Sequence, residues 1–196
     1  MSAAVRAGFR QTEVGAIPEN WPLVKISSVA DMITVGFVGS MAHLFTKVGV
    51  PLLRGQDVKP NRLNLSNTEF ISIDTHKLWK KSALECGDVV IVRVGASAGM
   101  ACVIPAGIGN ANAASLVIVR PSTNKLCAIF LSQLINSRFG ERQIESLLVG
   151  GAQPVINTST AANFRLALPP IGEQRAIATA LSDIDALLVK LDALIA

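Results

Sequence analysis

The chain has 196 residues, half of them apolar and 16% charged, which is enough for one domain with a real core plus an appendage and excludes a disordered tail. Three cysteines with no CxxC pair, and only His43 and His76 beside them, argue for buried thiols in a reducing compartment and against zinc. The net charge of +4 is unevenly spread: after Pro170 two bases face four acids, so the preceding body carries +6, a balance that suits a polyanionic partner.

In chain order, the opening "MSAAVRAGFRQTEVGAIPENW" lacks the continuous apolar core of a signal peptide. "WPLVKISSVADMITVG" predicts a strand, a short helical turn and another strand. "VPLLRGQDVKPNRLNLSN" predicts a brief strand running into a polar, basic loop. In "TEFISIDTHKLWKKSAL" a strand precedes one or two helical turns capped by Asp74 or Thr75. "GDVVIVRVG", "MACVIP" and "SLVIVRP" read as strands. The uncharged run from Val94 to Val119 could span a bilayer by length, but its four glycines, one proline and two asparagines are turn chemistry, so no membrane span is expected.

"NKLCAIFLSQLINSRFGERQIESLL" has helical periodicity with a break expected near Gly140. "GGAQPVINTSTAANF" is loop with one helical turn, and "RLALPP" is a strand closed by prolines. Strands first and helices later predict an α+β fold with a mixed or antiparallel sheet. The expected division is a body over residues 1–170 and a helix over 171–196.

That helix carries Ile177, Leu181, Ile184, Leu188, Leu191 and Ile195 at spacings of four and three, a heptad seam. Leu187 and Leu194 widen it. Such a stripe either lies on its own body or pairs with another helix. Its period persists to the last residue with no return segment, which favours a partner helix.

Catalytic patterns are missing. Gly95-Ala96-Ser97-Ala98-Gly99 satisfies G-x-S-x-G after a strand, yet both histidines precede it, opposite to the order a hydrolase triad of that kind requires. The glycines there suit a tight turn or close approach of backbone to a phosphate. Neither GxxxxGK[ST] nor GxGxxG is present. A non-enzyme is expected.

"LPPIGEQRAIATALSDIDALL" resembles the element that closes a target-recognition domain in the DNA-specificity subunits of type I restriction–modification systems. The match runs through Leu168, Pro169, Pro170, Glu173, Gln174, Arg175, Ile177, Ile184 and Asp185. Gly15, Ile17, Pro18 and Trp21 match the family's opening, and "PLLRGQDV", "LECGDVVIVRVGASAG" and "GGAQPVINTSTAANFRLALPP" follow in its order. The resemblance implies a cytoplasmic, non-catalytic subunit that reads one half of a split site in double-stranded DNA. It also implies partners: adenine-N6 methyltransferase subunits, which would bind S-adenosylmethionine, and an ATP-dependent restriction and translocation subunit. No cofactor is expected on this chain. With one recognition domain and part of one spacer helix, it is either a fragment or a half-size subunit that works as a dimer, the seam meeting a second spacer helix or a second copy.

On that reading Arg54, Gln56, Lys59, Asn61 and Arg62 are candidate phosphate or base contacts. Lys80 and Lys81 follow Trp79, itself expected in the core. Arg93, on the face of Val89 and Ile91, needs an internal acid or a phosphate. Ser97, Gln153, Asn157 and Thr158 complete the candidates, with capping of a short helix the competing role for Asn157 or Thr158. The rival to DNA binding is a protein–protein adaptor with a globular head and a coiled-coil stalk.

Overall fold

A computed structural model of the protein describes residues 6–147 and 155–195. Its centre is a four-stranded antiparallel sheet in the order Ala101–Val103, Val89–Val92, Leu116–Pro121, Ala30–Val35. These strands are apolar on both faces because both are covered. Alternate side chains point to opposite sides, so Val89, Ile91, Val117 and Val119 enter one core while Val90, Val92, Leu116 and Ile118 enter another. Each fully buried side chain of this size contributes about 1.5–3 kcal/mol.

The first core is covered by helices. The "NKLCAIFLSQLINSRFGERQIESLL" run forms two helices, and the short helix of "INTSTAAN" packs beside them. In chain order the α-helices are α1 (Ile73–Leu78), α2 (Ala128–Ile135), α3 (Arg138–Leu147), α4 (Thr158–Asn163) and α5 (Ile171–Ile195). The second core is shared with a five-stranded sheet whose strand Val50–Leu53 pairs parallel to Ala111–Ala113 and antiparallel to Glu69–Ile71. The fold is α+β with mixed sheets, as the order of elements predicts. Gly36 carries the chain from one sheet toward the other: a Cβ there would collide with the Ala113 carbonyl, which instead accepts a hydrogen bond from the Phe37 amide at 2.8 Å.

Several local expectations need correction. The cap of α1 is Ser72, whose hydroxyl accepts from the Thr75 amide at 3.1 Å, and not Asp74 or Thr75. The break in the helical run falls at Asn136–Ser137; Gly140 lies inside α3, where lack of a side chain lets it approach the Leu134 and Ile135 carbonyls. Cys102 is buried, with its thiol pushed up to about 12 by burial, and Cys127 is half-buried, but Cys86 is exposed. Trp79 is half-buried on the core of the five-stranded sheet and stacks on Phe37 with ring centroids 3.7 Å apart. As its turn chemistry predicts, Val94 to Val119 is divided among three strands and their loops, and no helix among the described residues is long and apolar enough to cross a membrane.

Candidate nucleic-acid interface

Strand register defines the two ends of the central sheet. Val117 pairs with both Val35 and Ile91, so Ala30–Val35 and Val89–Val92 run parallel and their chains leave at one end. The 93–99 turn, with Gly95 and Gly99 at positive φ, follows from one of them. Gly55 packs on Val92, which brings the Arg54–Asp57 turn alongside. Arg93 is tied to Ile156 at the mouth of α4. The Phe37–Trp79 stack, with Lys80 and Lys81, lies beside Val35 at this same end. The hairpin of Val58–Lys59 and Arg62–Leu63 joins it through the Asn61 amide, which donates to the Ala101 carbonyl at 2.9 Å. Tertiary folding therefore brings the described candidates, scattered from Arg54 to Thr158, to one end of one sheet.

The two ends differ in how their charges are paired. At the far end fully buried Asp88 receives Arg120 Nε at 2.8 Å and Nη2 at 2.9 Å, while Glu85 takes the third guanidinium nitrogen at 2.7 Å. The side-chain hydrogen bond to Asp88 holds the guanidinium's pKa above its ordinary value, against the opposing effect of burial. Asp31 and Arg175, both exposed, add one charge of each sign there. At the first end Gln56, Arg62, Lys80 and Lys81 are exposed and Lys59 half-exposed.

The candidates divide into free and engaged side chains. Arg62, Lys59, Lys80 and Lys81 form no ion pair among the described residues. Gln56 makes one exposed bond to the Asn67 carbonyl. Arg54 sits over the Phe45 ring at 5.2 Å and pairs with Glu69 at 3.6 Å, and its backbone is braced by buried Asp57. Burial lifts the Asp57 carboxyl above its ordinary value, outweighing the Arg54 amide and the Thr68 hydroxyl that donate to it.

Asn61 is the most heavily engaged. Its carbonyl accepts from Asn136 Nδ2 at 2.7 Å and Ser132 Oγ at 3.0 Å, and its amide donates to Asp185 of α5 at 3.1 Å. Arg93 has no acid partner among the described residues, and its Nε donates to the Ile156 carbonyl at 3.1 Å. Asn157 caps α4, accepting from the Thr160 amide at 2.8 Å, and Thr158 is half-buried in that helix's first turn. Ser97 is half-buried in the turn, and Gln153 lies outside the described residues.

Sequence reasoning missed a second basic feature. A groove of about 750 Å³ between the Phe9–Thr12/Gly15–Pro18 hairpin and α3 is lined by Arg138, Arg142 and Arg165, the last paired with Glu13 at 2.6 Å. The four-residue spacing of Arg138 and Arg142, which puts both on one face of a helix, was the available signal.

α5 has two different faces. Toward the body it presents Gln174, Ala178, Ser182 and Asp185. Fully buried Gln174 accepts from the Cys127 amide at 2.9 Å and donates to the Lys125 and Pro169 carbonyls at 2.9 and 2.8 Å. Gln133 of α2 donates to the Ala178 carbonyl and the Ser182 hydroxyl. The apolar seam points elsewhere. Ile177 rests partly on the core, but Leu181, Ile184, Leu188 and Leu191 are 43–53% exposed. The side chain of Ile195 lies outside the described set. After half-buried Asp185 every described side chain of α5 is exposed.

A family model described as Type I restriction modification DNA specificity domain matches residues 18–195. The chain belongs to that family. Among curated members, this specificity-domain chain is 28% identical over 186 residues to the type I restriction enzyme MjaVIII specificity subunit of Methanocaldococcus jannaschii, covering 92% of the chain and 43% of that protein. It thus spans less than half the length of the curated relatives it matches. Its fold is shared with the HsdS subunit from Thermoanaerobacter tengcongensis, at a TM-score of 0.66 and 22% identity over 96% of this chain and 43% of the other. A chain from a structure on complex assembly and conformational transition of the type I R-M system gives a TM-score of 0.68 at 21% identity, covering 93% and 42% respectively.

Proposed function

We propose that this specificity domain reads one half of a bipartite site in duplex DNA through the loops gathered at one end of its central sheet. Arg62, Lys59, Lys80 and Lys81 supply phosphate attraction there. Gln56 and Arg62 have the hydrogen-bonding chemistry to address base edges. The seam of α5 pairs with a second helix, from another copy or from a second recognition domain, and two heads so joined engage two half-sites. A two-fold pair would read an interrupted palindrome. Adenine methylation and DNA cleavage fall to methyltransferase and translocase partners in the cytoplasm, which hold S-adenosylmethionine and ATP; this chain performs no chemistry.

The single observation that carries the reading is the convergence of these loops on one sheet end, where Arg62, Lys59, Lys80 and Lys81 have no ion pair among the described residues, while at the far end Arg120 is paired with Asp88 and Glu85. Selection of duplexes from a random pool, in the presence of the cognate methyltransferase subunit, tests it. A recovered motif of about three to five base pairs, single or as inverted repeats, is the expected result. Association through the helix with no retention on any duplex would instead establish the adaptor reading.

A further inference from the structure

The seam of α5 says what the helix seeks but not the direction in which it is held out. That direction is set where the helix leaves the body, and Asp185 is the last described residue of α5 still half-buried. Asp185 has no ion pair among the described residues. Its Oδ2 accepts from Asn61 Nδ2 at 3.1 Å, across 124 positions of sequence.

Asn61 cannot swing away to follow it. Its carbonyl oxygen is held by Asn136 and Ser132, its backbone amide by Ala101, and its own φ of 60° fixes the turn. Asn136 is braced in turn, since its Oδ1 accepts from the Ala101 amide at 2.9 Å and its Nδ2 donates to the Ala101 carbonyl at 2.8 Å. An amide fixed on one side by strand and helix thus presents its free N–H to a carboxylate on a second helix.

We propose that Asn61 and Asp185 form a latch that fixes the angle at which α5 leaves the head and, resting on the DNA reading above, sets the gap between half-sites. Upstream contacts through Gln174 and Gln133 hold the helix as far as Ser182, leaving the latch, three residues on, as the last point of restraint. From Asp185 to Ile195 the helix extends about 15 Å at 1.5 Å per residue. A tilt of about 13° about the latch displaces its end by about 3.4 Å, the rise along the duplex axis per phosphate of one strand. Losing the latch therefore admits neighbouring gap lengths. Asp185 is a positioning residue and touches no DNA in this arrangement.

The direct test measures the angle without DNA. Exposed Cys86 on the head and Ala193→Cys on the helix, with half-buried Cys127 changed to serine, carry two spin labels, and the labelled chain is diluted into unlabelled chain. One narrow distance distribution is expected. Asp185→Ala should at least double its width at an unchanged melting temperature, and Asp185→Asn, which keeps a carbonyl acceptor, should restore it. An unchanged distribution in Asp185→Ala overturns the latch. Duplexes whose half-site gap varies by single base pairs test the second part: Asp185→Ala should spread binding over adjacent gaps with single-half-site affinity unaltered, and a gap preference as sharp as wild type rejects the gap-setting role. If the unsubstituted chain selects no duplex, the DNA reading fails, while the distance distribution still decides the latch.

Discussion

Arg93 and Ile156 exchange two hydrogen bonds across 63 residues: Arg93 Nε donates to the Ile156 carbonyl at 3.1 Å, and the Ile156 amide donates to the Arg93 carbonyl at 2.9 Å. An arginine at the end of an apolar strand is thereby used to join the 93–99 turn to the entrance of α4. Arg93→Ala removes one of the two bonds and should destabilise the protein by about 1 kcal/mol in urea titration. Faster hydrogen exchange at the Ile156 amide should accompany it. A loss of duplex affinity with neither change would show that Arg93 acts on phosphate instead.

Asn61 and Arg62 are adjacent in sequence and opposite in role. Asn61→Ala removes the donor to Asp185 and one of the acceptors of Ser132 and of Asn136, and strains a left-handed backbone, so it should cost about 1–3 kcal/mol of stability. Arg62 is exposed with no partner among the described residues. Arg62→Ala should leave unfolding unchanged and reduce duplex binding, relaxing preference at one position by about 1–3 kcal/mol if it reads a base. If it touches only phosphate, all sequences weaken alike and the salt slope falls by about 0.9.

Gln174 is buried at the joint between body and helix with three hydrogen bonds. Gln174→Ala strands the Cys127 amide and two carbonyls away from water, at a cost of about 2–4 kcal/mol by denaturant unfolding. Gln174→Glu should be nearly as damaging, because a carboxylate cannot donate to Lys125 and Pro169.

Leu188 is 53% exposed on the seam. Leu188→Lys should leave the melting temperature of the head unchanged and weaken helix-mediated association at least about tenfold, read by light scattering across a concentration series. Retained association would place the partner on another face.

Asp57 gives a pH signature. Its carboxyl is raised by burial, so it favours the folded state most strongly below its ordinary range, and this advantage drains away as pH rises through the raised value. Asp57→Asn cannot titrate. The unfolding free energy of wild type minus that of the variant should therefore fall as pH climbs from about 4 toward neutrality. A difference that grows over that interval would reverse the assignment.

Much of this was legible in one dimension, because strand and helix periods are local. Val89 to Val92 announces a strand buried on both faces, and the four-and-three spacing from Ile177 to Leu191 announces a helix with an apolar stripe. The Leu-Pro-Pro and Glu-Gln pattern marked the joint. What it could not convey was why glutamine is needed there: the three partners of Gln174 come from residues 125, 127 and 169, and only packing makes them neighbours. Side-chain chemistry alone did not show that Asn61 is held on both sides by Asn136, Ser132 and Asp185, or that Arg93 commits its Nε to the Ile156 carbonyl.

The sequence by itself determined the elements, the free apolar stripe and the family, since each depends on residue type and spacing along the chain. The tertiary structure alone decided which basic and amide side chains remain free, which end of the sheet is neutralised by Asp88 and Arg120, and where α5 is released. Those outcomes depend on hydrogen-bond and ion-pair partners that are 32 to 124 residues apart, and no local pattern encodes such distances.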